Sequence, residues 1–201
     1  GAGIATDVID DLNGDGYADM LIGAEQDAVS GGTGAAFIVW GSATPRTMSL
    51  ASADTRIRGD ESTHWIGDHV RGIGDANQDG HEDIAIASRA GSHDLCAVYT
   101  FFGPLSTGAT YWATADADVT FRLDEGYDHD VDVILAHDIS GDAIPDMIIG
   151  SGSWGIGDRH GRANFLLTAP RGVPRGTAPL PRECPRPHRD VPLSPQDPHP
   201  P

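Results

Sequence analysis

One nine-residue pattern recurs at an almost constant interval, and no other feature of the chain restricts its fold so tightly. It reads DLNGDGYAD at 11–19, DANQDGHED at 75–83 and DISGDAIPD at 138–146, so the first aspartates lie 64 and then 63 residues apart. A fixed period of that size marks a repeat architecture. Positions 1, 5 and 9 of the pattern are Asp in all three copies, whereas position 7 is Tyr17, His81 and Ile144. Side chains with so little in common leave the backbone carbonyl as the group that position 7 supplies.

In the first copy, oxygen falls at alternate positions: Asp11, Asn13, Asp15, the carbonyl of Tyr17, then Asp19. Carboxylates held within ~5 Å repel by roughly 3 kcal/mol per pair at an effective dielectric of about 20, so such a loop calls for a cation. Oxygen ligands in this number suit calcium, whereas magnesium keeps more of its water. The EF-hand pattern places Glu at position 12; here that position is Ile22, Ile86 and Ile149. The remaining side-chain ligand is therefore Asp at position 9. The next residues, MLIGA, form a short apolar run rather than a helix. The pattern predicts a calcium loop between two strands.

The flanks repeat as well. GAEQDAVSGGTGAAFIVWG after the first loop is echoed by ASRAGSHDLCAVYTFFG and GSGSWGIGDRHGRANFLL after the others. Each unit reads as a strand into the loop, an apolar strand out, a Gly-rich turn, an aromatic-rich strand and a shorter strand near TRIRG. Four strands per unit of about 60 residues predicts an all-β fold of propeller blades. The exit strands MLIGA, IAIAS and MIIGS are apolar at successive positions, as strands covered on both faces are.

These units resemble FG-GAP repeats, the calcium-binding blades of the integrin alpha-subunit propeller and of many bacterial surface proteins. FIVWG and YTFFG are similar to the family's aromatic strand ending in Gly, and IGDHVRGIGDANQDGHEDIAIAS follows its metal-loop pattern throughout. The resemblance covers roughly 3–168, with repeats around 3–58, 59–122 and 123–168 inside a domain at 1–169. It implies an extracellular or cell-surface protein engaged in adhesion or ligand interaction, with structural calcium on the face away from the ligand. Carried over by position, it implies side-chain ligands Asp11, Asn13, Asp15 and Asp19, then Asp75, Asn77, Asp79 and Asp83, with the carbonyls of Tyr17 and His81. The third copy keeps Asp138, Asp142 and Asp146 and the Ile144 carbonyl, but Ser140 is a poorer ligand and Ala143 replaces the loop's Gly. It is expected to bind more weakly.

Residues 1–169 hold 27 acidic residues against 8 arginines, and the chain has no lysine. So acidic a surface repels nucleic acid, whose affinity for proteins rests on phosphate neutralisation. No run of about 20 apolar residues is present to span a bilayer. Cys96 and Cys184 do not make a disulfide framework. Residues 170–201 carry 11 of the 14 prolines and no aromatic residue, a composition that predicts an extended, disordered tail. Closed propellers use four to eight blades; somewhat under three are visible here, so further blades are expected outside this chain.

Other motifs fit the repeat better than a separate role. RGD at 58–60 occupies the repeat position of RLD at 122–124. DEGYDHDVD at 124–132 reads as a solvated acidic loop. The histidines lack zinc-site spacing, and GSGSWG near Ser153 fits a Gly-rich turn better than a nucleophile elbow. Two functional classes remain: a calcium-stabilised interaction propeller without chemistry of its own, and a carbohydrate-active propeller, lectin or enzyme. The second needs aromatic platforms beside paired carboxylates. Trp65, Tyr111, Trp112, Tyr127 and Trp154 supply rings, with Tyr127 alone beside an acidic run in the sequence. The first class accounts for more of the chain, and no catalytic residue is expected.

Overall fold

A computed structural model describes residues 2–25, 33–44, 46–59, 65–89, 97–122, 128–136, 138–139, 141–153, 162–166 and 176–179. Within them the protein is all-β apart from a 3-10 turn at Leu50–Ser52 and a single helical turn at Ala113–Asp116. Each acidic loop joins two antiparallel strands. β1 (Thr6–Ile9) enters the first loop and β2 (Asp19–Ala24) leaves it, followed by β3 (Ala35–Val39) and β4 (Thr55–Arg58). The second unit is β5 (Ile66–Gly74), β6 (Asp83–Ser88), β7 (Ala97–Phe101) and, after the short β8 (Thr110–Trp112), β9 (Val119–Arg122). The third comprises β10 (Asp128–Ala136), β11 (Asp146–Ser153) and β12 (Arg162–Leu166).

Strand order follows chain order within each unit: β1-β2-β3-β4 in the first sheet, β5-β6-β7-β9 in the second and β10-β11-β12 in the third. The repeat extends to register. Met20 faces Val39 and Ile22 faces Phe37, just as Ile84 faces Phe101 and Ile86 faces Tyr99. Two parallel additions lie outside the expected pattern: β8 joins β4 at the edge of the first sheet, and β13 (Gly176–Pro179) joins β9 at the edge of the second. Four residues of the segment expected to be disordered are thus an edge strand; the rest of 170–201 lies outside the described residues.

The sheets stack in series. Leu21, Ala36, Ile38, Trp40 and Ile57 of the first meet Val70, Ile84, Ile86, Tyr99 and Phe101 of the second. On its other face the second presents Ala85, Ala87, Val98, Val119 and Phe121 to Met147 and Ile149 of the third. At roughly 1.5–3 kcal/mol for each large apolar side chain fully removed from water, these two seams dominate the stability. Every residue of β6 and β7 is buried because the second sheet is covered on both sides. β2 differs, with Met20 43 % exposed on the face of the first sheet turned away from the second, where a small cluster of Ala24, Ala35 and Phe37 covers part of the sheet. Its apolar side chains at successive positions therefore do not mean burial on both faces. The stretch 128–132, read as loop from its charge, belongs to β10 and pairs with β11.

Candidate metal sites

The three acidic loops fold alike. The Asp at position 1 accepts backbone N–H groups from positions 5 and 6: Asp15 and Gly16 on Asp11 at 2.9 and 2.6 Å, Asp79 and Gly80 on Asp75 at 2.9 Å each, Asp142 and Ala143 on Asp138 at 3.0 and 2.8 Å. The Asp at position 5 accepts from position 7, as Tyr17 N–H donates to Asp15, His81 to Asp79 and Ile144 to Asp142 at 2.9–3.0 Å. The Asp at position 9 accepts from position 2, as Leu12 donates to Asp19, Ala76 to Asp83 and Ile139 to Asp146 at 2.6–2.9 Å. In the first two loops the amide at position 3 bridges: Asn13 Nδ2 donates to Asp15 at 3.1 Å and Asn77 Nδ2 to Asp79 at 2.9 Å. Ser140 lies outside the described residues.

Turning the chain this tightly requires a left-handed residue at position 6. Gly16 and Gly80 supply it with φ of 90° and 92°, and Ala143 is held at 68°. A residue with a Cβ pays roughly 1–2 kcal/mol for that conformation.

Burial divides each loop into an inner and an outer part. Asp19, Asp83 and Asp146 are at most 1 % exposed, whereas Asp15 and Asp79 face solvent. Burial pushes the Asp83 carboxyl up to about 7, against the opposing donations from Gly103, Ala76 and Asn77. Asp19 is raised in the same way by burial, with Asp15 and Asp11 adding to the rise. Asp11 goes the other way: the N–H groups of Gly16, Asp15 and Gly14, with His81 nearby, outweigh its desolvation and hold it below the ordinary value. A buried carboxylate destabilised by desolvation, beside solvent-facing carboxylates and an amide oxygen, is a donor set of the kind a hard cation neutralises. Among the described residues, no three His, Cys, Asp or Glu side chains are already gathered around one point as a metal cage. Their oxygens face backbone amides, and the donor chemistry, carboxylates with an amide oxygen, fits a hard cation.

The aromatic strands end where they do because of these loops. Gly41 N–H donates to Asp19 Oδ1 at 2.8 Å and Gly103 N–H to Asp83 Oδ1 at 2.9 Å. A Cβ at Gly41 would run into the Ala18 carbonyl, and one at Gly103 into the Glu82 carbonyl. Only glycine brings its amide that close.

A second group of polar side chains lies at the opposite ends of the strands and was not anticipated from sequence. Ile66 pairs with Ser88, so the start of β5 adjoins the end of β6, away from the loops. Asp68 is buried there, its carboxyl raised to about 6 by burial and then by a hydrogen bond with Glu25. Arg89 lies 4.0 Å from Glu25 and its guanidinium stacks 4.9 Å over the Trp65 ring. Glu25, Asp68 and Arg89 come from three separate segments, and no local motif links them. Of the RGD stretch, Arg58 stacks 5.2 Å over Trp112 and Asp60 lies outside the described residues, as do Tyr127 and Trp154.

No family model matches the chain. Among curated proteins, it is 30 % identical over 156 residues to phosphatidylinositol-glycan-specific phospholipase D from Bos taurus and, to the same extent, to that from Homo sapiens. The alignment takes in 70 % of this chain and 17 % of each relative, so the chain spans about a sixth of the length of the curated relatives it matches.

Proposed function

We propose that the protein is a run of FG-GAP-type β-propeller blades whose three acidic loops bind calcium as a structural ion. The blades belong to a larger extracellular or cell-surface protein and present a surface to a protein or glycan ligand. The observation that carries this reading is the threefold recurrence of one hydrogen-bond pattern, with Asp at positions 1, 5 and 9 accepting the same backbone amides in every loop. Serial stacking of antiparallel units, two of four strands and one of three among the described residues, supports it. In this role the segment catalyses nothing itself. Its likeness to a sixth of a phosphatidylinositol-glycan-specific phospholipase D suits an accessory module within a longer chain. The direct test is thermal: chelation lowers the unfolding midpoint and calcium restores it, in proportion to RT ln(1 + [Ca]/Kd) per site. A midpoint indifferent to both removes the structural role of the ion.

One observation favours a glycan as the ligand. Glu25 and Asp68 place two carboxyl groups beside Trp65 and Arg89, at the end of the sheets remote from the loops. Sugars bind to rings and carboxylates in such arrangements. Binding on a glycan array, lost on Trp65→Ala with the fold intact, supports this second reading; binding that survives the substitution rejects it.

A further inference from the structure

The position-7 side chain of the second loop reaches the loop before it. His81 of the second loop lies over Gly14 of the first: a methyl group at Gly14 would sit 3.4 Å from His81 Cε1 and 3.7 Å from Nδ1. His81 is also among the groups that act electrostatically on Asp11, the first ligand position of that loop. Tyr17, with no loop before it among the described residues, is 44 % exposed, and Ile144 of the third loop is 1 % exposed.

A second connection runs through the backbone. Gly103 N–H holds Asp83 Oδ1 at 2.9 Å, and two residues later Leu105 N–H donates to the Leu12 carbonyl at 3.3 Å. Leu12 N–H in turn donates to Asp19 Oδ2 at 2.9 Å. The buried Asp of the second loop is thus joined to the buried Asp of the first through one three-residue segment. Gly103 also lies against His81, since a Cβ there would come 2.9 Å from His81 Cβ. The side-chain and backbone connections meet at this residue.

We propose that the first two loops bind their cations cooperatively, with His81 as the positioning residue: an ion in loop 75–83 fixes His81 and the 103–105 segment, which preorganise Asp11, Leu12 and Asp19 in loop 11–19. The proposal rests on the reading of these loops as calcium sites. An ion that orders the second loop spares the first part of its own ordering cost, which gives positive coupling without any large movement. Coupling of this kind is reciprocal, so an ion in the first loop tightens the second by the same factor.

Terbium is the probe, used with the full chain, because Tyr17 at position 7 of the first loop sensitises its emission from that loop. Tyr17→Phe removes this emission and so assigns it. Disabling the second loop by Asp75→Asn with Asp79→Asn raises the terbium concentration for half-saturation of loop 11–19 by about fivefold or more, the lower end of ordinary coupling. His81→Ala alone does the same, and combining it with the Asp75 and Asp79 changes adds little, since both interrupt one path. His81→Phe, which keeps a ring at position 7 without adding a tyrosine to the second loop, retains the parent midpoint to within about twofold. If His81→Ala lowers overall stability too far to measure, the Asp75/Asp79 pair and His81→Phe decide between them. Unchanged midpoints in His81→Ala, or in the Asp75/Asp79 pair, overturn the coupling and leave calcium binding standing. No Tyr17-sensitised emission in the parent chain overturns metal binding at loop 11–19 and the coupling with it.

Discussion

At the scale of single residues, the acidic loops show which oxygens are interchangeable and which are fixed. In the first two loops the Asp at position 9 is buried and tied to backbone amides, two on Asp19 and three on Asp83, whereas the Asp at position 5 faces solvent. Ala143, held at φ 68° where the other loops have Gly, carries local strain, as does Gln78 at φ 61° where the other loops have Gly14 and Gly141. Ala143→Gly is expected to stabilise the chain by about 1 kcal/mol and to tighten the third loop for calcium, both read from urea denaturation with and without the ion. A loss of stability contradicts the strain. Asp68 gives a pH prediction. Burial, then its hydrogen bond with Glu25, raises its carboxyl to about 6, so the native state holds this proton more tightly than the unfolded chain does. Its contribution is fully present below about pH 4 and is lost as pH rises through about 6. Asp68→Asn, which mimics the protonated form, therefore leaves stability nearly unchanged at acid pH and gains on the parent by roughly 1–3 kcal/mol by pH 7.5. Denaturation curves that stay parallel across this range refute it. The alternate-oxygen ligand pattern was readable from sequence because it is local. The Glu25–Asp68–Arg89 group was not, because it assembles from three distant segments.

At the scale of elements, the strands follow from composition and the loops set where they stop. Entry, exit, aromatic and short strands fall in the expected order, since β-branched and aromatic residues bounded by Gly-rich turns leave few other choices. Charge misled the reading of 128–132: Asp128, Asp130 and Asp132 alternate with His129, Val131 and Val133, a period of two that belongs to a strand, and they lie in β10. The parallel edge strands β8 and β13 had no sequence signal, because pairing at a sheet edge uses backbone groups alone. The terminal Gly of the first two aromatic strands had a signal whose cause the structure supplies: its amide serves the buried Asp of the preceding loop. Gly103→Ala is expected to cost about 2–4 kcal/mol, combining a backbone clash with loss of a hydrogen bond to a buried carboxylate. A thermal midpoint within a degree or two of the parent sinks this account of the strand end.

At the scale of the whole molecule, charge and stacking act together. The sheets pack in series through aliphatic and aromatic seams, and the second is covered on both faces. The acidic loops all join an entry strand to an exit strand, so they gather at one end of the stack, with His81 of the second beside Gly14 of the first and Pro145 of the third beside Gly74. Among the described residues, no helix is long and apolar enough to cross a membrane. In a molecule with a formal charge of −17, calcium at these loops would relieve repulsion within each loop and between them, linking the ion to the integrity of the stack. Isothermal titration calorimetry of calcium into the chelator-treated chain tests this most directly. The account predicts saturable binding with two tighter sites, lost respectively on Asp11→Asn with Asp15→Asn and on Asp75→Asn with Asp79→Asn, and a weaker third lost on Asp138→Asn with Asp142→Asn. No saturable heat at millimolar calcium, from a chain shown to be folded, contradicts it.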